Sequence, residues 1–296
     1  MKIKKILVPV DFSPITETIL QVTKNFVEKQ KEDVQIVLFH SIEKLPTDYN
    51  YLILIETLND TIEDIKNQVK EKIVSIAKPY LESFEIIIGE GNPTSEIREV
   101  AKLKEVSMII LGEKSKSDIS EFLLGSTAEK ISRKCHLPTF IVKENSIVNF
   151  NKILIPIDFS VHSISMLKNT VEMFAGFDSE FIVLHVFEEP TFLYNGIVEI
   201  NTMEVFHRFE EIEKEAESKL NKVIEEFKNK GINISFFLKK GTPFEIITEV
   251  AAEEKVDLIS ISSHGTSETF GILMGSTAHK VLKKSRKNIL VIKPSV

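Results

Sequence analysis

Two loops of this sequence hold residues of the kind that bind anions. In each, a Gly-Ser-Thr triplet opens a helical pattern, at 125–127 and at 275–277. The first turn of a helix has unpaired N–H groups and about half a positive charge, which suit a phosphate group. A glycine beside that turn lets a ligand approach the backbone closely. The candidate anion ligands are Ser262, His264, Gly265, Gly275, Ser276 and Thr277 in the second loop and Gly112, Lys114, Ser115, Gly125, Ser126 and Thr127 in the first.

The two loops belong to a longer internal repeat. LVPVDFS at 7–13 matches LIPIDFS at 154–160, and LLGSTAEK at 123–130 matches LMGSTAHK at 273–280. Further matches between these keep the same order, which chance does not produce. The chain is therefore two copies of one domain, which we place at residues 1–145 and 150–296.

Each copy alternates short apolar runs with amphipathic helical segments. In the second copy the apolar runs are rich in Val, Ile and Leu, as in KILIPI at 152–157 and ILVIK at 289–293. Such runs, separated by helices, predict a parallel sheet covered on both faces. We expect two tandem α/β domains, each a doubly wound, Rossmann-like sheet of five parallel strands.

A second group of candidates follows the first and second apolar runs of each copy. In a doubly wound sheet, ligands bind beyond the carboxyl ends of the strands, where the strand order reverses. Asp11 and Asp158 stand at such ends, and they could instead cap the next helix. The candidates at these ends are Pro9, Val10, Asp11 and Ser41 in the first copy and Pro156, Ile157, Asp158 and Val186 in the second.

Composition narrows the class of protein. The 296 residues carry a formal net charge of −7, and neither half is basic, so we expect no nucleic-acid partner. No apolar run approaches the ~20 residues that cross a bilayer, and the chain opens directly into a strand pattern, so we expect a cytoplasmic protein without a membrane partner. The single cysteine, Cys135, excludes an internal disulfide and a cysteine metal cage.

Both halves resemble the universal stress protein domain, in tandem over essentially the whole chain. ATP-binding members of that family carry Gly-x-x-Gly, nine residues, then Gly-Ser/Thr after the fourth strand. The second half replaces only the first glycine of this pattern, with Ser262, and the first half replaces the second glycine, with Ser115. The resemblance implies a strand order of 3-2-1-4-5 and a bound ATP or AMP, with Mg²⁺ if ATP.

The resemblance also assigns roles to the candidates. It implies base and ribose contacts from the strand-one ends at 9–11 and 156–158, an adenine contact at Ser41 and Val186, and phosphate contacts from the two loops. The first loop has three carboxylates, at 113, 118 and 121, where the second has only Glu268. Since like charge repels a phosphate, we expect the second domain to be the better site.

Some of these residues also have a purely structural interpretation. Ser126 and Glu129 fit a capping box, in which the serine is the N-cap of the last helix. His40 and His185, at the ends of the second strands, are typical of core histidines with satisfied ring nitrogens. Neither interpretation requires a ligand.

Three classes of function remain. The leading one is a stress-response regulator that binds adenine nucleotide. The second is an interaction scaffold whose degenerate loops bind nothing, and the third is an enzyme that forms adenylates or hydrolyses ATP slowly. No Walker pattern is present and no residue is assigned a catalytic role. The fifth strands, at 140–143 and 289–293, have edges that could pair, either in a homodimer or in an internal pseudo-dimer.

Overall fold

The computed structural model describes residues 1–42, 55–113, 124–144, 146, 148–187, 202–264 and 274–293. The backbone divides into two compact units, Met1–Asn149 and Phe150–Val296. Side chains at 55–61, 202–206, 208 and 209 are also outside the description.

The first unit alternates strands and helices. In chain order its elements are β1 Lys5–Pro9, α1 Ile15–Glu28, β2 Gln35–Ile42, α2 Ile55–Ala77, β3 Glu85–Glu90, α3 Pro93–Leu103, β4 Met108–Gly112, α4 Ser126–Lys134 and β5 Thr139–Val142.

The second unit repeats this order. Its elements are β6 Lys152–Ile157, α5 Val161–Met173, β7 Glu180–Phe187, α6 Thr202–Lys228, β8 Ile234–Lys240, α7 Pro243–Glu253, β9 Leu258–Ser262, α8 Ser276–Lys284 and β10 Asn288–Ile292.

Each unit builds a parallel sheet with the first strand at its centre. The order is β3-β2-β1-β4-β5 in the first unit and β8-β7-β6-β9-β10 in the second. In β1, Leu7 lies opposite Val37 of β2 on one side and Ile109 of β4 on the other. The chain winds outward in one direction through β2 and β3 and in the other through β4 and β5. The switch point is therefore between β1 and β4, and between β6 and β9.

The strands are buried because helices cover both faces of each sheet. Ile6, Leu7 and Val8 follow one another in β1 and are all fully buried, so neither face of that strand meets water. This is the burial that uninterrupted Val, Ile and Leu runs predicted. The α/β fold of two tandem domains is confirmed.

The amino ends of the central strands are held by a side chain from the residue before the fourth strand. In the first unit, Ser107 Oγ accepts hydrogen bonds from the backbone N–H of Lys4 and Lys5, at 2.9 and 3.0 Å. In the second, Asp257 Oδ2 accepts from the N–H of Asn151 and Lys152, at 2.7 and 3.2 Å. The same backbone groups are thus satisfied by a hydroxyl in one unit and a carboxylate in the other.

The third helices start differently in the two units. Asn92 caps α3, because its side chain accepts from the N–H of Thr94 and Ser95 at 3.0 and 3.4 Å. Thr242 occupies the same position before α7 and makes no side-chain cap. In the part of the chain that the structure describes, no helix has the length and apolar character needed to cross a membrane.

Candidate functional site

A pocket opens at the switch point of each sheet. It lies between the carboxyl ends of the central strands and the first turn of the last helix, α4 or α8. The pocket of the first unit has a volume of about 210 Å³ and that of the second about 300 Å³. Small-molecule sites typically begin near ~300 Å³, so the second pocket is at the lower end of that range.

Every candidate residue that the structure describes lines one of these two pockets. Lys114, Ser115 and Gly265 lie outside the described residues, as do the carboxylates at 118, 121 and 268. The first pocket brings together Pro9, Val10, Asp11, Ser41, Gly112, Gly125, Ser126 and Thr127. The second brings together Pro156, Ile157, Asp158, Val186, Ser262, His264, Gly275, Ser276 and Thr277.

The last helix of each unit begins at the pocket with a glycine in the N-cap place. Gly125 and Gly275 are the N-cap residues, and neither helix has a side-chain cap hydrogen bond. The backbone N–H of Glu129 donates to the carbonyl of Gly125, so Ser126 is already the first helical residue. The capping-box interpretation of Ser126 is therefore wrong by one position, because the glycine takes the N-cap place. The exposed hydroxyls of Ser126 and Ser276 are left at the pocket.

The glycines before these helices do not serve an unusual backbone conformation. Gly125 and Gly275 have φ of −59° and −56°, which any residue adopts. A Cβ added at Gly275 would have the carbonyl oxygen of Ser263 as its nearest neighbour, 3.8 Å away. Among the described residues no other atom comes within 4 Å of that position, so the glycine leaves its backbone open to the pocket.

The aspartates at the strand-one ends are exposed and tied to the next turn. Asp11 Oδ1 accepts from the N–H and the hydroxyl of Ser13, at 3.1 and 2.5 Å. Asp158 Oδ1 accepts from the N–H of Ser160, at 3.0 Å. Both carboxylates therefore have a defined direction before any ligand arrives.

The residue after each aspartate has a strained backbone, which the conformational preference of phenylalanine does not predict. Phe12 and Phe159 have φ of 60° and 59°. Their rings pack against His40 and His185, with centroids 4.7 and 4.4 Å apart. His40 is half-buried and lines the first pocket, so it is a residue of the site as well as a packed one. The available signal was the repetition of Asp-Phe-Ser in both copies.

Ser41 lines the first pocket at the end of β2. Its hydroxyl donates to the carbonyl of Gly91, at 2.8 Å, and is thus committed to the protein. Gly91 has φ of 121°, a region that favours glycine, which fits its role as a structural turn.

Two isoleucines that sequence analysis did not select narrow the first pocket. A Cβ placed on Gly112 would meet Ile15 Cγ2 and Ile19 Cδ1, each at 2.8 Å. Glycine at the end of β4 is therefore required by the packing of these side chains from α1. Ser262 occupies the equivalent end of β9, so the second pocket is built differently at this point.

The ends of β4 and β9 also differ in charge. Glu113 pairs with the fully buried Lys143 at 2.7 Å. Desolvation lowers the pKa of the Lys143 ammonium below its usual range, and the Glu113 carboxylate opposes this only in part. In the second unit the neutral, buried Ser263 follows β9, and its Oγ lies 2.8 Å from His264 Nδ1.

The opposite end of the last helix places a further residue in the core. α4 has Cys135 as its C-cap, where α8 has Ser285, and both are buried. Among the described residues, no group of three or more His, Cys, Asp or Glu is arranged to hold a metal ion.

These features define a tandem α/β protein with one pocket per domain at the switch point of its sheet. The model of the universal stress protein family matches residues 2–143 and 149–293, so the chain belongs to that family.

Individual relatives agree with this assignment. The universal stress protein MJ0577 of Methanocaldococcus jannaschii is 32% identical over 158 residues, which cover 48% of this chain and 96% of that protein. The universal stress protein E homolog of Haemophilus influenzae is 23% identical over 320 residues, covering 100% of this chain and 99% of the relative. A solved universal stress protein from Archaeoglobus fulgidus has a TM-score of 0.69 at 20% identity, and covers 100% of both chains.

Proposed function

We propose that this universal stress protein is a stress-response regulator that binds adenine nucleotide, ATP or AMP, and does so by preference in the second domain. The observation that carries the proposal is the first turn of α8. It lines the pocket with Gly275 as its N-cap, and a glycine has no side chain that could accept from the N–H groups of that turn. An uncapped, pocket-facing helix start is suited to a phosphate group.

The lining residues of the second pocket suggest how the parts of a nucleotide would be held. The N–H groups of the first turn and the hydroxyls of Ser276 and Thr277 would donate to phosphate oxygens, with His264 as a further donor. Asp158, at the end of β6, would accept from ribose hydroxyls. The base would lie against Ile157 and Val186, and the backbone of Val186 would pair with its polar edge.

Three differences favour the second pocket over the first. It is larger, about 300 Å³ against about 210 Å³. The first pocket has Ile15 and Ile19 packed over Gly112. Finally, the ion-paired Glu113 follows β4, whereas β9 is followed by Ser263 and His264, and His264 lines the second pocket as a possible phosphate donor. A nucleotide in the first pocket would use Asp11, Ser41 and the start of α4 in the corresponding roles.

The proposal is one of binding and signalling, without a catalytic residue. Any Mg²⁺ would arrive with ATP. A cytoplasmic location, and a homodimer or internal pseudo-dimer through the fifth strands, belong to the same proposal. The alternatives are a scaffold whose loops bind nothing and an enzyme that forms adenylates or hydrolyses ATP slowly.

The test replaces one glycine at a time. Titration calorimetry with ATP and with AMP would compare the wild type with Gly275→Val and its matched control, Gly125→Val. A valine at Gly275 fills the space through which phosphate reaches the backbone. Losing one charge-assisted hydrogen bond costs about 1.5–3 kcal/mol, so we expect the affinity to fall roughly tenfold to a hundredfold.

The other possible results of these titrations each point to a different conclusion about the site. Equal affinities for Gly275→Val and the wild type would remove α8 as the phosphate site. A loss confined to Gly125→Val would assign binding to the first domain. No binding of either nucleotide at millimolar concentration would favour the scaffold, and turnover of ATP by the wild type would favour the enzyme.

A further inference from the structure

A pair of aromatic rings lies beside the aspartate in each pocket. Phe12 packs on His40 of β2 and Phe159 on His185 of β7, with nearly the same spacing and interplanar angles of 42° and 44°. The Lys72 ammonium lies 4.3 Å from the centre of the Phe12 ring, and that of Lys219 lies 5.9 Å from the centre of the Phe159 ring. Cation–π attraction of this kind helps to hold a ring in place.

The phenylalanines adopt a backbone conformation that a bulky side chain rarely takes. Both have φ near +60°, in the left-handed region where Cβ crowds the backbone. Such strain persists only where the surroundings determine it, and it concentrates at functional sites. Here it occurs at the same position of two domains whose pockets otherwise differ.

The histidines fix the other side of the same turn. His40 Nδ1 lies 2.7 Å from the carbonyl oxygen of Val10, and His185 Nδ1 lies 2.9 Å from that of Ile157. A carbonyl oxygen only accepts hydrogen bonds, so Nδ1 carries the proton and donates it. In the second domain, His185 thus bonds to Ile157, before Asp158, and packs against Phe159, after it. In the first domain, His40 does the same with Val10 and Phe12 on either side of Asp11.

This arrangement clamps the aspartate from both neighbours in the chain. Rotation of the turn would break the histidine bond on one side or the ring contact on the other. The N–H of Ser160 fixes the exposed Asp158 carboxylate relative to its own turn, so the direction of the carboxylate in the pocket depends on how firmly that turn is held.

We propose that Phe159 and His185 are positioning residues, which hold the Asp158 carboxylate in the direction needed by the ribose hydroxyls of a bound nucleotide. Phe12 and His40 do the same for Asp11. This inference rests on the proposed function, since it assigns to the two rings an effect on affinity that is exerted through the aspartate.

A double-mutant cycle on the intact chain tests this coupling. ATP affinity is measured by calorimetry for the wild type, Asp158→Ala, Phe159→Leu and the double variant. Losing the ribose contacts of the carboxylate weakens binding about tenfold to a hundredfold. Phe159→Leu alone is expected to weaken it about fivefold, but less than about twofold when Asp158 is already alanine. An equal loss from Phe159→Leu in both backgrounds, or no loss in the wild type, overturns the inference.

Two further variants separate positioning from folding. Phe159→Tyr keeps the ring and is expected to bind within about twofold of the wild type, whereas a loss as large as that of leucine counts against the ring contact. Phe177→Leu removes a ring contact of the second domain that does not line the pocket, and it is expected to leave ATP binding unchanged. If Phe159→Leu does not fold, His185→Gln removes the other half of the pair and the same cycle is read with it.

The failure of the proposed function gives a different result. If the wild type binds neither ATP nor AMP, the proposed function is wrong and the inference falls with it. If Asp11→Ala weakens binding and Asp158→Ala does not, only the choice of domain is wrong. The double-mutant cycle is then repeated with Asp11→Ala and Phe12→Leu. If the effects of these two substitutions on ATP affinity are additive, the inference is overturned.

Discussion

The two pockets share a backbone frame and differ in the side chains that follow the fourth strand. In the first domain, Glu113 comes after β4 and pairs with Lys143. In the second, Ser263 comes after β9 and contacts His264. The strand order, the uncapped last helix and the strained phenylalanine are the same in both. The same frame therefore accommodates a buried ion pair after the fourth strand of one domain and a serine–histidine contact after that of the other, without a change of fold.

The largest difference in stability between the two domains is expected from breaking the buried ion pair of Glu113 and Lys143. Glu113→Gln leaves the Lys143 ammonium buried without its carboxylate, which typically costs about 3–5 kcal/mol of unfolding free energy. Chemical denaturation followed by circular dichroism measures the loss. The control is the double variant Glu113→Gln with Lys143→Met, which removes both charges and is expected to recover most of it. A loss of less than about 0.5 kcal/mol would mean that the pair does not stabilise the first domain.

The same pair gives a dependence on pH with a definite sign. The folded pKa of Lys143 is lowered, so above it the folded chain has released a proton that the unfolded chain keeps up to about pH 10.4. Stability of the wild type relative to the double variant should therefore rise with pH between these two values, and be constant below the folded pKa. A relative stability that falls with pH over that interval would contradict the lowered pKa.

An intermediate loss of stability is expected from removing Ser107 or Asp257, whose side chains accept hydrogen bonds from equivalent backbone N–H groups in the two domains. Asp257→Ala removes the acceptor of two backbone N–H groups and is expected to cost about 2–3 kcal/mol, since hydrogen bonds to charged groups are the stronger ones. Ser107→Ala should cost less, about 1–2 kcal/mol. Hydrogen exchange at the amide of Lys152 reports the first change and that at Lys5 the second. Equal losses would show that the charge of Asp257 adds nothing.

The smallest effect concerns the caps of the third helices. Asn92→Ala removes the side-chain cap of α3 and is expected to cost about 1 kcal/mol. Thr242→Ala removes no cap hydrogen bond and should lower the free energy of unfolding by only a few tenths of a kcal/mol. Thr242→Asn should stabilise α7, which a rise in the thermal midpoint would detect. A loss from Thr242→Ala as large as that from Asn92→Ala would contradict the difference in capping.

Local patterns in the sequence were sufficient for the frame of both domains. The β1 and β6 segments are uninterrupted apolar runs, so their place in a buried parallel sheet follows from composition alone. The repeat of Asp-Phe-Ser and Gly-Ser-Thr placed the candidates at strand ends and at a helix start. Those candidates that the structure describes do meet in pockets, because parallel strands present their carboxyl ends at one edge.

Features that depend on contacts between distant segments were not predicted. Glu113 and Lys143 are 30 residues apart and meet only because β4 and β5 are neighbours. Ile15 closes over Gly112 from a helix in another part of the chain. The cap of α4 was misplaced by one residue because glycine and serine are both acceptable N-caps, so sequence alone does not choose between them. The strain at Phe12 is likewise invisible to propensity, which disfavours it.

The single thiol of the chain lies at the far end of the helix whose first turn lines the first pocket. Cys135 is buried, so we expect a thiol reagent to react with it mainly when the C-terminal end of α4 opens locally. The rate of labelling therefore measures the free energy of that local opening. Because Ser285 stands in the corresponding place, α8 has no thiol and gives no signal. Labelling of Cys135 in the intact chain thus reports on the first domain alone, because the second domain has no thiol to be labelled.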